Sequence, residues 1–189
     1  MIEHLLKDWG ISITDDEYIP EYLIKRYPSK CFYIDSLPMP ISESRIVKFD
    51  QLEELLYKKM QEAIFNIIIK LWLYNDVFCK SDLIYEKQTA TKIKKIYPKK
   101  YHIFHHITSQ SNFIKIDDLE QLKLLLELSY KNIIDILLLF DSFQLIIVPS
   151  WSCYFLFFND ISKIKLVKEI INVEGLYLRP YITEDDTKG

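Results

Sequence analysis

The stretch IIDILLLFDSFQLIIVPSWSCYFLFF, residues 133–158, decides the fold. It holds three apolar runs, Ile133 to Phe140, Phe143 to Val148 and Tyr154 to Phe158, parted by Asp141-Ser142 and by Pro149-Ser150-Trp151-Ser152. Each run has strand length and is rich in aromatic or β-branched residues, whereas Asp, Ser and Pro set turns. Short adjacent runs of this kind predict an antiparallel meander. A membrane span is the competing interpretation, because Ser142 to Asn159 carries no charge over 18 positions. Gln144, Pro149, Ser150, Ser152 and Asn159 would be costly in hydrocarbon, and the Pro-Ser-Trp-Ser centre is a turn signal. A hairpin is expected, and no membrane segment.

Downstream, Asp160 is placed to cap a helix with an Ile161, Ile164, Val167, Ile170, Ile171 face. Gly175 ends it, and an edge strand over Leu176 to Leu178 closes at Pro180. Upstream, Asp117 is expected to cap a helix reaching Tyr130, with Leu119, Leu122, Leu125, Leu126 and Leu128 inward. The most periodic segment is Asp50 to Trp72, where Leu52, Leu55, Leu56, Met60, Ala63, Ile64, Ile67, Ile68, Leu71 and Trp72 form one helical stripe. Asp50 and Glu53 resemble a capping box at its start. Val77 to Glu86 and Tyr101 to Ile107 read as strands, with Lys87 to Lys100 a basic connection between them.

Residues 1–49 form an irregular N-terminal portion. It holds a short helix over Glu3 to Trp9 stopped by Gly10, an apolar face at Tyr22, Leu23 and Tyr27, a strand over Cys31 to Ile34, and a Pro38/Pro40 loop. Helices and strands are thus partly segregated, which predicts an α+β class with helices on a mainly antiparallel sheet. One domain over residues 1–182 is expected, followed by a flexible acidic tail, 183–189. Nearly half of the 189 residues are hydrophobic, with 13 Tyr and 11 Phe, so a core needs neither disulfide nor metal.

Composition also removes function classes. Gly10, Gly175 and Gly189 are the only glycines, so neither a Walker loop nor a dinucleotide fingerprint can be written. Cys31, Cys79 and Cys153 are far apart and read as buried, reduced thiols of a cytoplasmic protein. His102, His105 and His106 would lie on both faces of a strand, with His102 and His106 about 13 Å apart. On a helix, His102 and His106 would meet, but without the glutamate of a metalloprotease motif. No metal, cofactor or catalytic residue is assigned. An enzyme using one of these histidines as a base is the most remote reading. Acidic clusters at Asp15-Asp16-Glu17 and Asp117-Asp118-Glu120 match helix starts, where carboxylates favour the dipole.

Two surfaces remain as candidate sites. Asp141, Trp151 and Tyr154 flank the meander turns and suit a protein interface, where aromatic anchors carry most of the energy. Lys94, Lys95, Lys99 and Lys100, interleaved with Tyr97 and Tyr101, could hold phosphates and stack on unpaired bases. The net charge of −3 supplies no global pull toward nucleic acid. In type, the chain resembles the immunity proteins of bacterial toxin systems. The residues that carry this are Phe140-Asp-Ser through Tyr154-Phe-Leu-Phe-Phe, the helix after Asp160, and Gly-Leu-Tyr-Leu-Arg-Pro at 175–180. The resemblance implies a stand-alone cytoplasmic α+β protein without catalytic residues that masks a toxin, here a basic toxin domain. The expected function is therefore non-catalytic protein binding, with nucleic-acid association through Lys92 to Tyr101 as the alternative.

Overall fold

The computed structural model describes residues 6–11, 19–38, 46–81, 87–108, 113–149 and 154–181. The protein is α+β, with helices packed on a wholly antiparallel sheet. The described helices are α1 (Ile19–Arg26), α2 (Ile46–Trp72), α3 (Lys87–Ile96), α4 (Tyr101–Thr108), α5 (Leu119–Tyr130) and α6 (Ile164–Val173). The described strands are β1 (Cys31–Asp35), β2 (Val77–Lys80), β3 (Phe113–Lys115), β4 (Leu137–Phe140), β5 (Leu145–Pro149), β6 (Tyr154–Phe158) and β7 (Tyr177–Pro180). They pair in the order β3-β2-β4-β5-β6-β1-β7.

The expected meander is the centre of this sheet. Leu139 faces Ile146, and Ile147 faces Leu156, in successive antiparallel pairs. Every residue of β4, β5 and β6 is buried, because both sheet faces are covered. That is why these strands read as continuous apolar runs without alternation. On one face, Leu138, Phe140, Leu145, Ile147, Leu156 and Phe158 meet Ile64, Ile67, Ile68 and Leu71 of α2, Leu122 and Leu125 of α5, and Val167 and Ile171 of α6. On the other, Leu137, Leu139, Ile146, Val148, Phe155 and Phe157 meet Leu6, Trp9, Ile11 and Leu23. Burying each such side chain stabilises by about 1.5–3 kcal/mol.

Several boundaries differ from expectation. Tyr101 to Ile107 is helical. As a strand, His102 and Phe104 would share a face, yet Phe104 is 1% exposed while His102 is exposed. The Lys100 carbonyl instead accepts from the amides of Ile103 and Phe104, the start of a helical turn. Lys87 to Lys100 is not a bare connection, since α3 occupies Lys87–Ile96 and buries Thr89 and Ile93 one turn apart. Lysine is a good helix former, so polarity did not argue against a helix there. Helix α2 begins at Ile46, so Asp50 lies inside it. Asp118, not Asp117, caps α5 by accepting from the Glu120 amide, and Leu119 in its first turn is exposed, not inward. Ile133 and Ile134 are buried but not paired; β4 starts at Leu137. Strand β2 stops at Lys80. The β4–β5 turn is not a two-residue turn at Asp141-Ser142, but a 3₁₀ turn over Asp141–Phe143 followed by left-handed Gln144. The acidic tail, Asp15-Asp16-Glu17 and Trp151 lie outside the described residues.

Side-chain bonds fasten the layers at three places. Asn75 donates to the Leu71 carbonyl at the end of α2 and accepts from the Phe143 amide of the β4–β5 turn. Ser129 of α5 donates to the Pro149 carbonyl at the end of β5, 2.8 Å away. Asn159, just after β6, donates to the Trp9 carbonyl and to Gln144 Oε1, and accepts from Lys30 Nζ.

Candidate functional site: a groove and the lysine corner beside it

Helices α2 and α5 run over the same sheet face and leave between them a groove of about 540 Å³. Tyr57, Gln61 and Phe65 line it from α2, one helical turn apart, with Glu62 beside them. Lys123, Leu126, Glu127 and Tyr130 line it from α5, with Lys131 just beyond. The floor is apolar and the rim is charged. Leu126 is buried, while Tyr57, Phe65 and Tyr130 are half-buried. The Lys123 ammonium lies 6.0 Å from the Phe65 ring centre, a cation–π contact, and pairs with Glu120 at 3.1 Å. The Tyr57 hydroxyl donates to the Tyr130 carbonyl at 3.4 Å. Burial raises the pKa of the Tyr57 hydroxyl, and the Gln61 side chain opposes this. Burial pushes the Tyr130 hydroxyl well above the ordinary tyrosine range. Both hydroxyls are therefore protonated at neutral pH.

One end of the groove meets the corner between α3 and α4. Burial raises Glu127, but hydrogen bonds from Lys100, Lys131 and Tyr97 outweigh it and hold the carboxyl below its usual range. Lys100 reaches Glu127 at 3.0 Å and Lys131 reaches it at 3.2 Å. Lys131 also donates to the Tyr97 hydroxyl, a bond that raises the lysine pKa, and its ammonium lies 4.8 Å from the Tyr97 ring centre. Lys100 approaches the same ring at 6.0 Å, and Lys94 lies 5.6 Å from the Tyr101 ring centre.

These contacts sort the lysine–tyrosine set. The fold does bring Lys94, Lys95, Tyr97, Lys99, Lys100 and Tyr101 to one corner. Lys94, Lys95 and Lys99 are exposed, whereas Tyr97, Lys100 and Tyr101 are half-buried. The tyrosine faces hold ammonium groups, so a base could stack there only by displacing them. Of the other expected set, Trp151 lies outside the described residues. Tyr154 is 0% exposed and packs edge-to-face on Tyr130 with ring centres 6.1 Å apart, so it is a core residue and not a contact for a partner. Asp141 opens the β4–β5 turn and is half-buried; its amide donates to the Asp76 carbonyl.

Among the described residues, no three His, Cys, Asp or Glu side chains gather as metal ligands, and no helix is long and apolar enough to cross a membrane. Burial pushes the Cys31 and Cys79 thiols up to about 12, which keeps both unreactive. The groove's described lining contains no Ser, Cys or His. It offers apolar contact, hydrogen bonding and charge of both signs. The sequence carries a signal for it that the core stripe obscured. Tyr57, Gln61 and Phe65 form a second stripe at four-residue spacing on α2, and Lys123, Leu126, Glu127 and Tyr130 one at three- and four-residue spacing on α5. Comparison with protein-family models, with curated proteins and with solved structures gives no match.

Proposed function

We propose that the protein is a non-catalytic binding module that docks a segment of a partner protein in the α2–α5 groove. The observation that supports this most is the groove's make-up: Tyr57, Phe65, Leu126 and Tyr130 at the centre, with Glu62, Lys123, Glu127 and Lys131 around them. Aromatic centres inside polar rims are where protein interfaces concentrate their energy, and an open channel between two helices suits an amphipathic helix. An immunity-type role is the specific form of this proposal. In it the partner is a basic toxin domain, and docking silences it. The lysines concentrated at the α3–α4 corner leave the remainder of the chain strongly acidic, which would speed encounter with such a partner.

The test is co-purification of the tagged chain from its native cells with nuclease present, beside a Phe65→Ser/Glu62→Lys variant. The expected result is a stoichiometric protein partner whose capture falls at least about tenfold in the variant, the scale of one lost hot-spot contact. If that partner is an enzyme, added protein should inhibit it at a one-to-one ratio. Capture that ignores the groove substitutions, or no protein partner at all, would overturn the proposal.

A further inference from the structure

From Lys87 to Ile116 the chain contains seven lysines and no Asp or Glu, although the protein as a whole is acidic. The fold turns this segment into a corner. Helix α3 faces Thr89 and Ile93 inward, and α4 faces Phe104 inward. Lys92, Lys94 and Lys95 of α3, and Lys99 of the connecting turn, are thereby left exposed. The turn is held by the Tyr97 amide bonding the Ile93 carbonyl at 2.7 Å and the Lys100 amide bonding the Tyr97 carbonyl at 3.0 Å.

The lysines fall into two tiers. Lys100 and Lys131 stand behind, tied to Glu127 and to the Tyr97 ring. Among the described residues, Lys92, Lys94, Lys95 and Lys99 meet no carboxylate within ion-pair distance. Among the described residues the front tier is thus a patch of positive charge without a carboxylate partner. Lys92, Lys94 and Lys95 span about 4.5 Å along α3 at a helical rise per residue, and Lys99 extends the patch past the helix end, so the set can meet neighbouring phosphates. Its outer side is polar. The apolar residues of α3 point into the core, apart from the partly exposed Ile96, so a lipid surface would gain little burial there. Lysine without arginine supplies point charges and no bidentate fork, which suits backbone contact and not base reading.

We propose that the α3–α4 corner binds the phosphodiester backbone of nucleic acid through Lys92, Lys94, Lys95 and Lys99, without sequence preference. This surface is separate from the floor of the groove, so the two proposals can fail independently.

The test is fluorescence anisotropy of the full chain with a labelled random-sequence duplex, as salt is raised. With four phosphates neutralised, affinity should fall about 100-fold between about 50 and 200 mM salt. Replacing all four lysines by alanine should abolish binding at the lower salt, whereas four arginines in their place should keep it. Phe65→Ser should leave it unchanged. Circular dichroism checks that each variant is folded, as expected for the four exposed lysine positions. No binding by the parent chain at low salt, or equal binding by the alanine variant, would overturn the proposal. Tighter binding to phosphatidylserine vesicles or to polyglutamate than to the duplex would overturn it as well, in favour of a lipid surface or an acidic protein.

Discussion

Gly175 shows how much one backbone angle can matter. It follows α6 at a φ of +77°. Its amide bonds the Asn172 carbonyl and the Leu176 amide bonds the Ile171 carbonyl, which closes the helix end and drives Leu176 into the core. No atom lies within 4 Å of where a Cβ would stand, so the demand for glycine is conformational and not a matter of space. Gly175→Ala should therefore destabilise by about 1 kcal/mol, the penalty for an L side chain in the left-handed region. A melting temperature lower by roughly 2–4 °C would register it, and no change would refute the argument. This stop was legible, as was Gly10, because glycine after an apolar stripe has a local cause. Asn132 ends α5 with the same bond pattern at a φ of +51°, and it went unread because asparagine fills many other roles. Asp160 does act as a cap, accepting from the Ser162 amide, but on a 3₁₀ turn over Ile161–Lys163 that precedes α6.

Between elements, the firmest joint is Asn75. Its amide group faces both ways, satisfying a buried carbonyl of α2 and the buried amide of Phe143. The adjacent Asp141 amide bonds the Asp76 carbonyl, so the end of α2 and the β4–β5 turn are clasped by neighbouring residues. Asn75→Ala would strand the buried Phe143 amide, whereas the Leu71 carbonyl keeps the Tyr74 amide, and should destabilise by about 1–3 kcal/mol in urea unfolding, the penalty for one unmet group. A loss below about half a kilocalorie would mean that water replaces the side chain, as it does at an ordinary surface position. Nothing local announces this role, since Asn75 lies in a turn segment where asparagine is common. The same reason hid α4. Tyr101 to Ile107 is short enough for two-residue and helical periods both to fit, and only the packing of Phe104 against the core decides between them.

For the whole molecule, the decisive feature is a sheet covered on both faces. Leu6, Trp9 and Ile11 lie against Leu139, Ile146, Phe155 and Phe157, and Asn159 ties the Trp9 carbonyl to the end of β6. Deleting residues 1–11 should uncover that face. The expected outcome is strong binding of a hydrophobic dye and a sharply lower melting temperature; a truncated chain that neither binds dye nor loses stability would contradict it. Local patterns sufficed for the central meander, the body of the long helix, and the last helix with its stop at Gly175. In these, hydrophobic period, turn residues and caps act within a few positions of one another. Long-range packing inserts β1 between β6 and β7, with Tyr33 opposite Phe155 and Arg179. It alone buried Tyr154 while leaving Lys92, Lys94, Lys95 and Lys99 outside, and it alone opened a groove between α2 and α5. These outcomes depend on which distant surfaces exclude water from each other, and the free energy of that burial belongs to pairs of segments and to neither segment alone.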